Sequence, residues 1–170
     1  MSEWIVLRGV RRARGGFAAR FREQLLGDFF SAIIWMPIEL IVASARLRAP
    51  GAEFDRATST VRIGRRSITL AEIVSARIDP FLLDGGVLVL RFGDPDGHEF
   101  DAYLRAGIDG VSPRETRELL AEILHSSSIS PSRRGHTSQG SSAPMSMTRN
   151  EAIALVLDVP PTDGNLPLTH

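Results

Sequence analysis

The feature of this chain that most restricts its fold is an apolar stretch, FFSAIIWMPIELIVASARLR, from Phe29 to Arg48. Within its core, residues 29–45, eight Phe, Ile, Leu or Val side chains contribute about −2.4 to −4.8 kcal/mol to membrane insertion. The carboxylate of Glu39 opposes insertion by about 2.5–3.5 kcal/mol, and Pro37 adds to that cost. The sum is near zero, and the 17 residues of this core are at the short limit for a span. A lone transmembrane helix is therefore not favoured.

A shallow helical segment on a surface fits this stretch better. The helical pattern begins before it, because Phe17, Phe21 and Leu25 recur every four residues. We therefore predict a helical segment over residues 17–48, broken near Pro37. Its polar members share one stripe of the helix; they are Asp28, Ser31, Glu39 and Arg46.

The apolar face of this segment is predicted to meet lipid or a groove on a protein partner, with flanking arginines toward anionic head groups. Basic residues on both sides fit a segment whose two ends stay on one side of a membrane. The predicted interface residues are Phe29, Phe30, Ile33, Ile34, Trp35, Ile38 and Ile41, together with Arg11, Arg12, Arg14, Arg46 and Arg48.

The charge distribution supports an anionic partner for the first third of the chain. Residues 1–48 carry eight Arg and four acidic side chains, whereas residues 49–125 carry nine Arg and thirteen acids. Nucleic-acid binders usually show a broader basic face with interleaved aromatic residues, so a lipid surface is the simpler interpretation. The sequence predicts a location on the cytoplasmic face of a membrane; a protein partner and self-association stay open. The ASA at 43–45 resembles a cleavage site, but more than twenty residues precede the apolar core, unlike a signal peptide.

The middle of the chain, residues 53–126, has the alternation and turn residues of a small antiparallel sheet. Five strands are predicted; they lie in residues 59–64, 67–70, 72–80, 85–93 and 98–104. Phe100 and Tyr103 do not alternate cleanly, which predicts a bulge or an edge position.

A helix is predicted to follow these strands and to cover the sheet. Ser112 is its predicted N-cap, Pro113 its first residue, and Glu115 completes a capping box. One apolar stripe faces the sheet and consists of Leu119, Leu120, Ile123 and Leu124.

The remaining segments are appendages of this unit. Residues 1–16 are predicted to be a basic arm, whose EWIVLRGV is a candidate short strand, and residues 127–147 a Ser-, Gly- and Pro-rich linker. Residues 148–161 are predicted to form a short helix with a Thr148–Glu151 capping box, and residues 162–170 a tail. The helix is predicted to dock on the domain or on a partner through Ile153, Leu155, Val156 and Leu157.

The run FDRATSTVRIGRRSITLAEIVSARIDP, followed by GVLVLRFGDPDGHEFDAYL and a capped helix, resembles bacterial PH-like domains. The resembling positions are Phe54, Asp55, Val61, Ile68 and Ile73. The whole arrangement is similar to actinobacterial proteins that join an apolar N-terminal segment to such a domain. This resemblance implies an α+β fold, with a small antiparallel sheet or partial barrel closed by a C-terminal helix. Strands from residues 3–8, or from a partner chain, are expected to complete it.

Candidate chemistry is sparse. The chain has no cysteine, which excludes disulfides, cysteine-based zinc sites and thiol catalysis. GDPDGHEFD gathers Asp94, Asp96, His98, Glu99 and Asp101, a fragment of a calcium loop in the wrong register, and a polar hairpin turn explains it better. The histidines lack metal-ligand spacing, and no nucleophile elbow or phosphate-binding loop is present. We therefore expect no catalytic, cofactor or metal site.

The function predicted from the sequence is that of a non-enzymatic, membrane-associated binding or scaffold protein, in which a PH-like domain binds a partner. The alternative is a soluble structural or accessory subunit of a larger assembly, such as a phage particle or a multisubunit complex. In that case the apolar helix is a subunit interface.

Overall fold

A computed structural model describes residues 3–13, 41–47, 50–78, 87–107, 110–130 and 145–160. These residues form an α+β unit of two antiparallel sheets packed with helices. Within those ranges the two sheets do not close into a barrel. Of the segment predicted as helical, residues 17–48, only 41–47 are described, and they are helical; the break predicted near Pro37 lies outside the described residues.

Ten strands and three helices make up this unit. The strands are β1 (Trp4–Arg8), β2 (Val10–Arg12), β3 (Pro50–Asp55), β4 (Thr60–Ile63), β5 (Arg66–Thr69), β6 (Ser75–Ile78), β7 (Val87–Gly93), β8 (Glu99–Ala106), β9 (Gly110–Val111) and β10 (Met145–Met147). The helices are α1 (residues 41–47), α2 (Arg114–His125) and α3 (Arg149–Leu157), and a 3-10 turn covers Leu70–Glu72.

The first sheet has the order β1-β3-β4-β5, and the second has the order β10-β6-β7-β8-β2, with β9 also paired to β8. Two consecutive strands belong to different sheets: β1, in the first sheet, ends at Arg8, and β2, in the second sheet, begins at Val10. Gly9 between them has a φ of 74°, a backbone conformation that glycine adopts readily. The N-terminal residues therefore join the two sheets along one edge.

The five predicted strands are confirmed as β4 to β8, with ends shifted by a few residues. The irregularity predicted around Tyr103 is confirmed as well. The β7–β8 register steps from Leu88 opposite Arg105 to Val89 opposite Tyr103, so Leu104 is the extra residue of a bulge in β8. Residues 4–8 form a strand of this chain, as predicted: β1 pairs with β3 and adds to the edge of the first sheet, which stays open in the described ranges.

Three other predictions are wrong. Arg11 and Arg12 lie in β2, which pairs with β8, so the predicted basic arm is part of the sheet at these positions. Residues 50–52 begin β3, although Pro and Gly are turn formers; Pro is tolerated as the first residue of a strand, where its missing N–H is least damaging. Residues 127–147 are not all linker, since Ser127 and Ile129 are buried and β10 pairs with β6. β2 and β10 were missed because each has only three residues, which is too short for the alternation of a strand to be recognised.

The main core lies between the inner faces of the two sheets and is closed by α2 and α3. The predicted stripe of α2 is confirmed, because all four of its side chains are buried. The largest fully buried side chains include Phe54, Phe92, Leu90, Ile123 and Leu155. The folded unit therefore includes more of the chain than the predicted residues 53–126. Its core also contains Leu7 and Val10 from the N-terminal side and Leu155 and Val156 from the C-terminal side.

The predicted cap of α2 is wrong. Pro113, not Ser112, occupies the N-cap position, and no side chain caps the helix. The backbone N–H of Ser112 donates to the carbonyl of Leu104, 2.9 Å away, which holds this residue beside β8. Among the described residues, the buried Ser112 hydroxyl has no hydrogen-bond partner. The backbone hydrogen bond to Leu104 therefore holds Ser112 at the sheet, one residue before the N-cap position.

The predicted cap of α3 is confirmed. The backbone N–H of Glu151 donates to the Thr148 hydroxyl at 3.2 Å, and the Thr148 N–H donates to the Glu151 carboxylate at 2.8 Å. Leu155 and Val156 are buried and Ile153 packs against the core, as predicted. Leu157 does not dock on the domain, because half of its surface is exposed.

Candidate interaction site at the base of the apolar segment

The chain leaves the described residues at Ala13 and re-enters them at Ile41, and the elements on both sides of this gap are attached to the same domain. The backbone N–H of Ala13 donates to the carbonyl of Glu99 at 2.8 Å, which extends the β2–β8 pairing. On the returning side, an added Cβ at Gly9 would lie 3.0 Å from the carbonyl oxygen of Leu47. The end of α1 therefore lies directly against the β1–β2 corner.

A second close approach follows at once. An added Cβ at Gly51 would lie 2.0 Å from the carbonyl oxygen of Val10, a distance at which no side chain fits. Glycine allows β3 to cross β2 backbone against backbone. The strand that precedes the apolar segment and the strand that follows it are thus locked together.

α1 rests on the outer face of the second sheet, opposite the main core. Ala43 and Leu47 are each 3% exposed and form a second apolar cluster with Val87, Val89, Tyr103 and Ala106. Ile41 and Val42 lie on the other side of α1 and are 69% and 38% exposed. One side of α1 is therefore a structural anchor, and the other presents apolar side chains at the end of the apolar stretch.

Arg46 joins this anchor to the sheet. Its Nη1 donates a short hydrogen bond to the Tyr103 hydroxyl, and its guanidinium carbon lies 5.5 Å from the centre of the Tyr103 ring. Tyr103 is buried, so the arginine satisfies a hydroxyl that would otherwise face an apolar cluster. Arg46 was predicted to face head groups, and the structure shows it engaged with the protein itself.

The other predicted interface residues divide in two. Arg11 and Arg12 are exposed on β2, beside exposed Arg8 of β1, so three guanidinium groups mark the edge from which the segment departs. Ile41 is exposed on α1. Phe29, Phe30, Ile33, Ile34, Trp35, Ile38, Arg14 and Arg48 lie outside the described residues.

Ion pairs cover the part of the outer face that α1 leaves open. Arg91 of β7 binds both carboxylate oxygens of Asp101 on β8, at 2.6 and 3.2 Å. Arg77 of β6 pairs with Glu99, and Arg91 is 3.7 Å from the same carboxylate. The register places Arg11 of β2 opposite Asp101 on its other side. Asp101 of β8 therefore lies between Arg91 on β7 and Arg11 on β2, and opposite charges face each other on both sides of β8.

This cluster escaped the sequence analysis, which considered Glu99 and Asp101 only as turn acids. The signal was available, because Arg91, Glu99 and Asp101 have the period-two spacing of one sheet face on either side of a hairpin. Tyr103 continues this spacing after Asp101, but its contact with Arg46 depends on where α1 lies and could not be read in this way.

The hairpin residues Asp94, Asp96 and His98 are the group with metal-compatible geometry among the described residues. Asp94 is occupied by the protein: it accepts from the backbone N–H of His98 at 2.8 Å and from Arg66 at 2.9 Å. Arg66 is also 3.5 Å from Asp96. Burial alone would raise the pKa of Asp94, but the His98 hydrogen bonds and the charges of His98 and Arg66 outweigh it and lower that pKa. An arginine on these carboxylates fits a polar turn better than a cation site.

No family model, no curated protein and no solved structure matches the chain. In the described part of the chain, no helix combines the length and the apolar character needed to cross a bilayer.

Proposed function

We propose that this protein is a non-enzymatic binding or scaffold protein, held on the cytoplasmic face of a membrane by the apolar segment 17–47. In this proposal the two-sheet unit closed by α2 is a PH-like module that binds a protein partner. The segment lies in the plane of the head groups and is not a span.

The observation that carries this proposal is that the elements on both sides of the segment are attached to one domain. Ala13 is bonded to Glu99, and Leu47 lies against Gly9. Because both ends belong to one folded body, the connection must cross a bilayer an even number of times or not at all.

The length of the connection argues against two crossings. Residues 14–40 number 27, which as an α-helix span about 40 Å. Two passages through a hydrocarbon core of about 30 Å each need roughly 60 Å. Extended chain would reach further, but its unpaired backbone groups are not tolerated in lipid. A shallow, one-sided insertion is the arrangement that remains.

The side chains at the base suit such an arrangement. Arg8 and Arg12 are exposed on the strands from which the segment departs, and exposed Ile41 and Val42 lie where it returns. Exposed arginines attract anionic lipids by about 1 kcal/mol each near the surface, and apolar side chains add insertion energy. Binding is therefore expected to weaken with salt without being abolished.

Flotation with vesicles tests this function. The variant replaces residues 17–40 by a Gly/Ser sequence of equal length and keeps β1, β2 and α1, which a deletion of residues 1–48 would destroy. We expect the full chain to float with phosphatidylglycerol-containing vesicles. The fraction of the variant that floats should be at least tenfold lower. Equal flotation of both, or of neither, contradicts the membrane proposal.

A matched pair of substitutions localises the effect. Val42 on α1 and Val74 before β6 are 38% and 40% exposed, so each can be replaced by Asp with a similar change of surface. Val42→Asp is expected to reduce flotation several-fold and Val74→Asp to leave it unchanged. Equal losses would point to a non-specific effect of charge.

Depth is measured with tryptophan. The chain contains two tryptophans, Trp4 and Trp35, and Trp4→Phe leaves Trp35 as the sole reporter inside the segment. Brominated lipids should quench its fluorescence more strongly when the bromine lies near the head groups than near the bilayer centre. The reverse order would overturn the shallow placement.

The alternative, a subunit of a larger assembly, is favoured by the ion pairing on the outer face. Arg77 and Arg91 are neutralised by Glu99 and Asp101, so they contribute little attraction toward lipid. The same Ile41 and Val42 would then pack on a protein surface. Absence of flotation, with concentration-dependent association that Val42→Asp abolishes, would select this function.

A further inference from the structure

The C-terminal segment 145–160 occupies a composite groove on the rest of the fold. β10 adds to the edge of β6, with Met147 opposite Ala76 and Met145 opposite Ile78. α3 then packs on α2 and buries Ala152, Leu155 and Val156. The groove therefore recognises a short strand followed at once by a capped helix, through backbone pairing and apolar side chains.

Backbone carbonyls fasten the segment at both ends. At its start, the N–H of Arg149 donates to the carbonyl of Ser130 at 2.9 Å. At its end, Arg117 of α2 donates to the carbonyl of Leu157 at 2.7 Å, and buried Arg105 of β8 donates to the carbonyl of Pro160. These contacts depend on where the backbone lies and not on which copy of the chain supplies it.

The connection to this segment is longer than its attachment requires. Arg149 is bonded to Ser130, and Met145 is four extended residues earlier, so the connection must bridge roughly 14 Å. The chain supplies the 14 residues 131–144, which reach about 46–50 Å when extended. Their composition, PSRRGHTSQGSSAP, is typical of a flexible linker.

We infer that the groove formed by the edge of β6 and the face of α2 is an exchangeable docking site, and that its partner in trans is segment 145–160 of a second copy of this chain. The second copy is the partner whose fit is given by the contacts themselves, since every hydrogen bond and buried side chain is reproduced. Two copies that exchange segments form a closed, two-fold dimer.

The linker sets the balance between the two forms. A tether of this length and composition gives its own segment an effective concentration on the order of millimolar, so single copies prevail in dilute solution. Shortening the tether below the span it must bridge removes that advantage, and only exchange between copies then fills the groove.

The test is a full chain in which residues 131–144 are replaced by one glycine, which spans about 7 Å and cannot close the gap within one copy. The control replaces them by 14 Gly/Ser residues. We expect the shortened chain to be a dimer by light scattering at micromolar concentration, with the amides of Ala152 and Leu155 as protected from exchange as in the monomeric control. A shortened chain that is monomeric, with those amides unprotected, overturns the inference.

If the shortened chain does not fold, a second measurement decides. A protease site is placed inside residues 131–144 of the otherwise unchanged chain and cut after folding. The severed segment should be replaced by an isotopically heavy peptide of residues 145–160, detected by native mass spectrometry, and not by the same peptide carrying Leu155→Asp. Retention of the original segment until global unfolding would show that the groove does not exchange its occupant.

Discussion

α1 and α3 are both short, apolar helices outside the predicted domain, yet they relate to the core in opposite ways. α3 contributes three buried side chains to the main core, whereas α1 contributes Ala43 and Leu47 to a separate cluster on the far face of a sheet. α3 is capped at its start and held at its end by Arg117. α1 leaves Ile41, an equally apolar residue, mostly in solvent. Apolar composition alone therefore does not decide which side chains of a short helix are buried; the surface on which the helix packs does.

The largest expected effect separates the buried side of α3 from the exposed side of α1. Leu155 is fully buried, so Leu155→Ala should lower the free energy of unfolding by about 2–5 kcal/mol through lost contacts and a cavity. Ile41 is 69% exposed, and Ile41→Ala should change it by less than about 0.5 kcal/mol. Urea titrations followed by circular dichroism compare the two. Similar losses for both variants would show that α1 is as integral to the fold as α3.

The junction that positions α1 provides the next test. Gly51→Ala would place a methyl group 2.0 Å from the Val10 carbonyl oxygen, so the two strands must separate. Overpacking of this kind costs about 1–3 kcal/mol. Gly64→Ala is a useful comparison, because an added Cβ there meets no atom within 4 Å, although its φ of 64° is strained for alanine. A Gly51→Ala protein as stable as the wild type would contradict the close crossing on which the base of the apolar segment depends.

The two helix starts sharpen the comparison, because the same capping pattern is used at one and not at the other. Thr148→Ala removes a hydroxyl that accepts the Glu151 N–H and should cost about 1 kcal/mol. Ser112→Ala removes a buried hydroxyl that has no partner among the described residues, so its stability should be unchanged or slightly higher. Thermal unfolding of both variants measures the contrast. A loss at Ser112 equal to that at Thr148 would restore the capping role predicted from its sequence.

These starts also show how far local pattern predicts structure. Both have a hydroxyl residue three positions before a glutamate, and Thr148 follows a three-residue strand that leaves it free to cap. Ser112 is bonded through its backbone to Leu104, a contact between residues eight apart that no capping rule includes. The five strands with clear alternation and the apolar stripe of α2 were predictable because these segments are long enough for their periodicity to be seen in the sequence.

Elements that depend on distant partners were not predictable. β3 needs Gly51 against Val10, forty-one positions earlier, and β10 needs the free edge of β6. The candidate site was predicted in part: the basic edge and the apolar segment were apparent in the sequence, whereas the convergence of Gly9 and Leu47 is a property of the folded chain. The pairing of Arg46 with Tyr103 joins residues 57 positions apart, so it too is a property of the folded chain.

The smallest expected effect concerns the hydrogen bond between Arg46 of α1 and Tyr103 of the sheet. Tyr103→Phe keeps the ring under the Arg46 guanidinium but removes the hydroxyl to which its Nη1 donates. The net contribution of such a bond is about 0.5–1.5 kcal/mol, and the half-exposed arginine can turn to water, so a global loss near the lower end is expected. The local effect should be larger than the global one, because the second cluster is small: amide exchange at residues 43–47 should accelerate several-fold, while that of Leu155 stays unchanged. Equal acceleration at both places would mean that α1 and α3 unfold together, and the contrast between them would then be one of position alone.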